Sequence, residues 1–212
     1  WYNALKIMEE LTILTKGKKD ARKYADMAER CKDSFEAKFY NKRRKCLYDV
    51  LGDSKIRPNQ LFSLSLSYPV IDPSSEIAND IISTVEKKLL TPYGLKTLAK
   101  GEEGYKESYE GDMVKRDMSY HQGTIWPWLL GLYYDALNNM IKSEKKKSTK
   151  QELEKKRQEF KEEVRKTFVQ EMNENSTVGN IRELYSKIGK DYKPDGTFAQ
   201  AWSVSEIFRI IL

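Results

Sequence analysis

Two kinds of apolar pattern alternate along this chain, and the alternation limits the fold more than any other feature. One kind is a narrow stripe on a polar rod. Ala21, Tyr24, Ala28, Cys31, Phe35 and Phe39 recur at steps of three and four, and so do Ile77, Ile81, Val85 and Leu89. Leu153, Phe160, Val164 and Phe168 form a third stripe within the charged run 151–172. The other kind is apolar nearly all round: RPNQLFSLSL from Arg57, WPWLLGLYYDALNNMI from Trp126 and AQAWSVSEIFRIIL from Ala199. A helix apolar on every side is enclosed, whereas a striped helix stands on the outside. A four-helix bundle would give four similar stripes instead. The pattern predicts an all-α chain whose inner helices, beginning near Arg57, His121 and Gln200, are wrapped by outer ones. That is the arrangement of an (α/α) toroid, and seven or eight helices are too few to close six hairpins.

Local signals refine the reading. WYNALKIMEELTIL has helical spacing and ends at Gly17. Asp72-Pro73 reads as a helix start, an N-cap acid followed by proline. Cys46–Asp53 is a short strand or loop edge, and TPYGLKT ends the fourth segment. Lys100 to Met118 is polar and lacks periodicity; a long connection of that kind inside a helical chain is commonly functional. The chain opens at Trp1 inside a helical pattern and without an initiator methionine. Residues 1–212 are therefore read as the C-terminal part of one domain. An open ring would expose apolar edges, so self-association is expected.

The formal net charge is +6, and 33% of residues are charged. Eleven basic and six acidic residues lie between Lys142 and Lys166, so +5 of the +6 sits on one segment. The signs alternate there, which describes a solvated helix with i,i+4 pairs rather than a nucleic-acid footprint. Two cysteines and one histidine make neither a disulfide framework nor a metal site. No cofactor or metal is expected. No stretch approaches the roughly 18 apolar residues of a membrane span, and the start does not resemble a signal peptide. Two thiols without a framework fit a reducing compartment, so the expected location is cytoplasmic.

Four stretches are unusual for loops: RPNQ (57–60), RDMSYHQGTIWPW (116–128), NIRELY (180–185) and FAQAWSVSE (198–206). They set the polar groups Arg57, Asn59, Gln60, Gln122 and Gln200 beside the flat rings of Tyr120, Trp126 and Trp202. Sugar recognition needs this mixture, because hydroxyls require fixed donors and acceptors and a pyranose face requires an aromatic platform. Taken singly, each residue also has a plain structural role. His121 can cap a helix, Asn59 and Gln60 can satisfy a helix N-terminus, Trp126 can pack in the core, and Glu183 alone is an ordinary solvated carboxylate. Their coincidence is what favours a site.

The order WYNAL, RPNQLFSLSL, LLTPYGLKTL, YEGD, RDMSYHQGTIWPWLLG, ELY, AQAWSVSE resembles the amylo-α-1,6-glucosidase region of glycogen debranching enzymes, from Trp1 to about Arg209. The 142–170 segment carries none of the likeness. The resemblance implies hydrolysis, with inversion, of single α-1,6-linked glucosyl stubs on glycogen, limit dextrin or another branched α-glucan. It implies Glu183 as general base, since Ile181-Arg182-Glu183-Leu184-Tyr185 matches the family's I-S-E-[IL]-[FY] stretch with Arg for Ser. It implies sugar-binding or loop-ordering roles near the mouth for Asp112 and Asp117, with Arg116 paired to one of them. Arg57, Asn59, Gln60, Asp117, Tyr120, His121, Gln122, Trp126, Gln200 and Trp202 are the candidate substrate-binding set. The family's general acid is an Asp in a tryptophan-rich loop upstream of the WYNAL helix, hence outside these residues. Two other readings stay open: a trehalase- or glucoamylase-like toroid enzyme, and a glucan-binding or structural half-domain that is catalytically idle.

Overall fold

A computed structural model describes the chain from Trp1 to Leu212 except Ser176 and Thr177 and the Asn175 side chain. More than half of it is helical, but it is not all-α. It opens with two paired helices, α1 (Tyr2–Lys16) and α2 (Lys18–Phe39). Gly17 reverses the chain between them at φ 89°, a conformation that suits glycine. The α2 stripe from Ala21 to Phe39 is buried or half-buried as its spacing predicts. A two-stranded ladder follows, β1 (Tyr40–Asn41) with β2 (Cys46–Leu47).

The RPNQ stretch forms a tight 3₁₀ turn, Pro58–Leu61, and then one helical turn, α3 (Phe62–Ser65). It is shorter than the apolar run predicts. Pro69 disfavours helix in the residue before it, and Leu66 is already extended. Asn139 closes the end by donating to the carbonyls of Leu64 (2.8 Å) and Leu66 (3.1 Å). Helix α4 (Glu76–Lys88) starts three residues later than Asp72-Pro73 predicts. Ser75 is the cap, accepting from Ala78 N at 3.2 Å. Asp72 instead orders the preceding turn, its Oδ1 accepting from Ser74 N at 2.9 Å.

The principal departure from the all-α expectation is a five-stranded antiparallel sheet. Its strands are β3 (Leu90–Thr91), β4 (Gly94–Lys96), β5 (Ile125–Trp126), β6 (Leu184–Ile188) and β7 (Asp191–Asp195), in that spatial order. TPYGLKT is therefore a hairpin. Between β4 and β5 runs the polar loop, which closes on a short helix, α5 (Met113–Ser119), capped by Asp112.

Helix α6 (Leu129–Ser143) is the centre of the core, with no exposed residue from Leu129 to Ile141. Helix α7 (Lys147–Gln170) packs on it through Phe160, Val164 and Phe168 and turns its charges to solvent. The expected i,i+4 pairing appears there at Lys155–Glu159, 3.7 Å. The last helix, α8 (Ala201–Ile211), is one-sided rather than enclosed. It buries Ser203, Ile207 and Ile210 and exposes Trp202 and Phe208. Gly131 lets it approach α6, since a Cβ at that position would lie 1.7 Å from Glu206 Oε2. Among the described residues, no helix is long and apolar enough to cross a membrane.

The weight placed on α6 is measurable. Leu137 is fully buried in the core, so Leu137→Ala should cost about 2–5 kcal/mol in urea unfolding. Leu14→Ala, on the exposed face of α1, should change stability by less than about 0.5 kcal/mol.

Candidate functional site

The sheet brings the sequence's four unusual loops together. Strand β5 pairs with β4 on one side and with β6 on the other, through Ile125 opposite Tyr185. Glu183 precedes β6 by one residue, and the 116–128 segment leads into β5. Two glycines allow the close approaches. Gly123 stands at φ 137°, where a Cβ would sit 2.3 Å from the Lys106 carbonyl oxygen. Gly196 stands at φ 71°, where a Cβ would sit 2.6 Å from Glu183 Oε2.

Glu183 is only 7% exposed, and a buried carboxylate is costly unless its oxygens are hydrogen-bonded. Both are. Thr197 donates its backbone N–H (2.9 Å) and its hydroxyl (3.2 Å) to Oε2. The Tyr120 hydroxyl donates to Oε1, and Gln200 Nε2 reaches the same oxygen at 3.4 Å. The Glu183 backbone N–H bonds the Thr197 carbonyl at 3.1 Å, and Gln200 N bonds the Ile181 carbonyl at 3.0 Å. The carboxylate is thus fixed from two chain segments at once.

Tyr120 and its ring neighbours His121 and Trp126 connect it to a pocket of about 240 Å³ lined by Arg57, Pro58, Asn59, Thr97, His121, Trp126, Trp128, Leu129 and Trp202, whose lining does not include Glu183 itself. Its aromatic wall is continuous. His121 stacks on Trp126 (5.0 Å between centroids, 27°), Trp126 meets Trp202 edge-on (5.9 Å, 69°), and Trp202 stacks on Trp128 (5.4 Å, 26°). Trp126 is itself held, its Nε1 donating to the Tyr120 carbonyl and to Thr124 Oγ1, each at 3.1 Å. Burial, and after it the Arg57 charge, pushes the His121 imidazole below its usual range, while Glu183 and Asp117 pull the other way. Burial and the bond to Glu183 push the Tyr120 phenol well up, so it remains a donor. Among the described residues, no three His, Cys, Asp or Glu side chains gather as a metal site.

The candidate residues occupy different positions. His121, Trp202 and Asn59 face the pocket, Asn59 donating its Nδ2 N–H to Asp49 at 2.8 Å, whereas Trp126 backs the wall from the core at 2% exposure. Tyr120 and Gln200 sit on Glu183. Arg57 lines the pocket while tying loops together. It donates to the carbonyls of Thr97 (3.1 Å) and His121 (2.9 Å) and to Gln122 Oε1 (2.9 Å). Gln122 is occupied by that bond. Gln60 is 6% exposed and is used internally, donating to the Arg57 carbonyl and accepting from Leu47 N. Asp117 is on the exposed surface of α5. Arg116 lies over the Tyr109 ring at 5.8 Å, and Asp112 caps α5 and faces Lys115 at 3.5 Å, so the expected pairing of Arg116 with an aspartate is not the one formed.

Thr197, Gly196, Thr97 and Trp128 were not singled out as site residues by sequence. Thr197 acts partly through its backbone, which no side-chain pattern reveals. The glycine beside it, following Asp195, was the available signal. Gly196→Ala should destabilise by at least about 1 kcal/mol more than Gly189→Ala in chemical unfolding. Both positions have positive φ (71° and 58°), which strains alanine by about 1–2 kcal/mol, but only Gly196 abuts Glu183. Equal losses would show that the carboxylate has room to move.

A family model described as amylo-alpha-1,6-glucosidase matches residues 1–209. No curated protein matches. Among solved structures, a chain titled "Sialidase" superposes with a TM-score of 0.70 at 15% sequence identity. The match covers 100% of this chain and 19% of that one, so this chain spans about a fifth of that length. Identity that low speaks for the fold alone. The family match covers nearly the whole chain, and the chain belongs to the amylo-alpha-1,6-glucosidase family.

Proposed function

We propose that this chain forms most of the sugar site of a glycoside hydrolase that removes single α-1,6-linked glucosyl stubs from branched α-glucan, with inversion. In this reading its helices belong to an (α/α) toroid. The observation that carries the proposal is Glu183, a nearly buried carboxylate held by four donor groups next to an aromatic pocket. A pocket of 240 Å³ lies below the roughly 300–1,000 Å³ of common ligand sites, which suits one sugar ring rather than several.

An inverting glycosidase needs a base and an acid roughly 6.5–9.5 Å apart. Glu183 takes a proton from water as the water oxygen bonds to the anomeric carbon. The glycosidic C–O bond breaks, and a second carboxyl protonates the departing 6-oxygen. The family likeness puts that acid in a tryptophan-rich loop upstream of α1. Trp202, 46% exposed, offers a face for the ring, and Asn59 and neutral His121 offer hydrogen bonds to hydroxyls. Each carboxylate oxygen accepts two donors, and the 3.4 Å Gln200 contact on Oε1 is the weakest of the four, so in this reading the water reaches Oε1 by displacing it.

The test uses limit dextrin with protein that carries residues 1–212. Free glucose is measured by anomer-resolved NMR, and β-glucose should appear first. Glu183→Gln should lower the rate at least about 10²-fold while leaving the melting temperature close to wild type. An unchanged rate, or α-glucose as first product, contradicts the reading. Turnover of trehalose or maltose in preference to limit dextrin would move it to another toroid glycosidase.

A further inference from the structure

We infer that Tyr120 is a positioning residue for Glu183, coupling the aromatic wall of the sugar pocket to the carboxylate that activates water. The inference rests on the base role given to Glu183 above. Tyr120 has a place in the chain that few side chains have, because three of its parts are engaged with three parts of the site.

Its hydroxyl donates to Glu183 Oε1, the oxygen whose other donor, Gln200 at 3.4 Å, is the weakest of the four. Its carbonyl accepts the Trp126 indole N–H and the Thr124 hydroxyl, at 3.1 and 2.6 Å. Its ring packs against His121 (4.6 Å), Trp126 (4.9 Å, 75°) and Tyr109 (5.4 Å). A tyrosine that bound sugar directly would present its hydroxyl to the pocket. Here the hydroxyl is spent on a carboxylate.

The consequence is mechanical. A ring seated on His121 and Trp202 bears on Tyr120 directly through His121 and indirectly through the buried Trp126, so substrate binding and base orientation are set together. The charged groups nearby are Arg57 at the pocket, Arg116 and Asp117 on α5, and Arg182 next to Glu183 in sequence. None of these replaces the phenol as a donor to Oε1 among the described contacts.

The test compares Tyr120→Phe with a ring-fluorinated tyrosine at position 120, which keeps the hydroxyl and strengthens it as a donor. Tyr120→Phe should lower kcat about tenfold or more on limit dextrin with KM nearly unchanged. The fluorinated protein should keep kcat within about threefold. A raised KM at constant kcat would make Tyr120 a substrate contact and overturn the inference, while leaving Glu183 as base. A readout independent of turnover is the Tyr120 hydroxyl proton in NMR. It should give a far-downfield signal that disappears in both Tyr120→Phe and Glu183→Gln. If that signal is absent from the wild-type protein or survives Glu183→Gln, the inference fails, whatever the activity shows. A Glu183→Gln protein as active as wild type would instead remove the functional reading itself.

Discussion

One ladder pair, Ile125 opposite Tyr185, holds the arrangement together. On one side of it, the 116–128 segment supplies Tyr120, His121 and Trp126. On the other, the chain entering β6 supplies Glu183, and the return through β7 supplies Gly196 and Thr197. These two groups are about sixty residues apart in sequence and are joined by the enclosed helix α6 and the charged helix α7. Closing so long a connection has an entropic cost. The buried α6–α7 packing and the fully buried Ile125, Leu184 and Tyr185 offset it. Hydrogen bonds of the short strands then fix the register, and a slip of one residue would turn Glu183 to the opposite face.

Burial of the Glu183 carboxylate explains its neighbours. An unpaired carboxylate at 7% exposure would be strongly unfavourable. Two of its four donors come from Thr197, reached because Gly196 has no side chain. The others come from Tyr120 and Gln200, residues whose own backbones are tied to Trp126 and to Ile181. The outer shell of the pocket follows the same economy. Arg57 spends its donors on two carbonyls and an amide, so the loop that starts α3, the loop after β4 and the turn at His121 move as one unit. Rigidity of this kind lets the pocket present fixed groups to a ligand without an ordering cost at each binding event.

The long helices were legible in the sequence. Stripes in α2, α4 and α7 and the all-round apolar run of α6 each exceed ten residues, enough for a 3.6-residue period to stand out. The sheet was not legible, because strands of two to five residues have no room to show alternation, and two of them sit inside apolar runs that read equally well as helix. Apolar content also misled at α8. Trp202 and Phe208 are large and apolar, yet both are exposed, and Trp202 faces the pocket. In the site, the residue types were readable and their duties were not. Arg57, Gln60 and Gln122 have the donors a sugar would want, but the fold uses those donors to join loops. Thr197 was invisible because its contribution is partly a backbone N–H.

In the proposed complex a sugar ring sits against the exposed Trp202 and His121, with Trp126 behind them in the core. The indole N–H spectrum of the chain's four tryptophans, followed during titration with isomaltose, tests this. The Trp202 signal should move to saturation and that of Trp126, in contact with it, should follow the same curve, while Trp1, on the α1 end, stays in place. Shifts confined to Trp1, or none at all at saturating sugar, would contradict it.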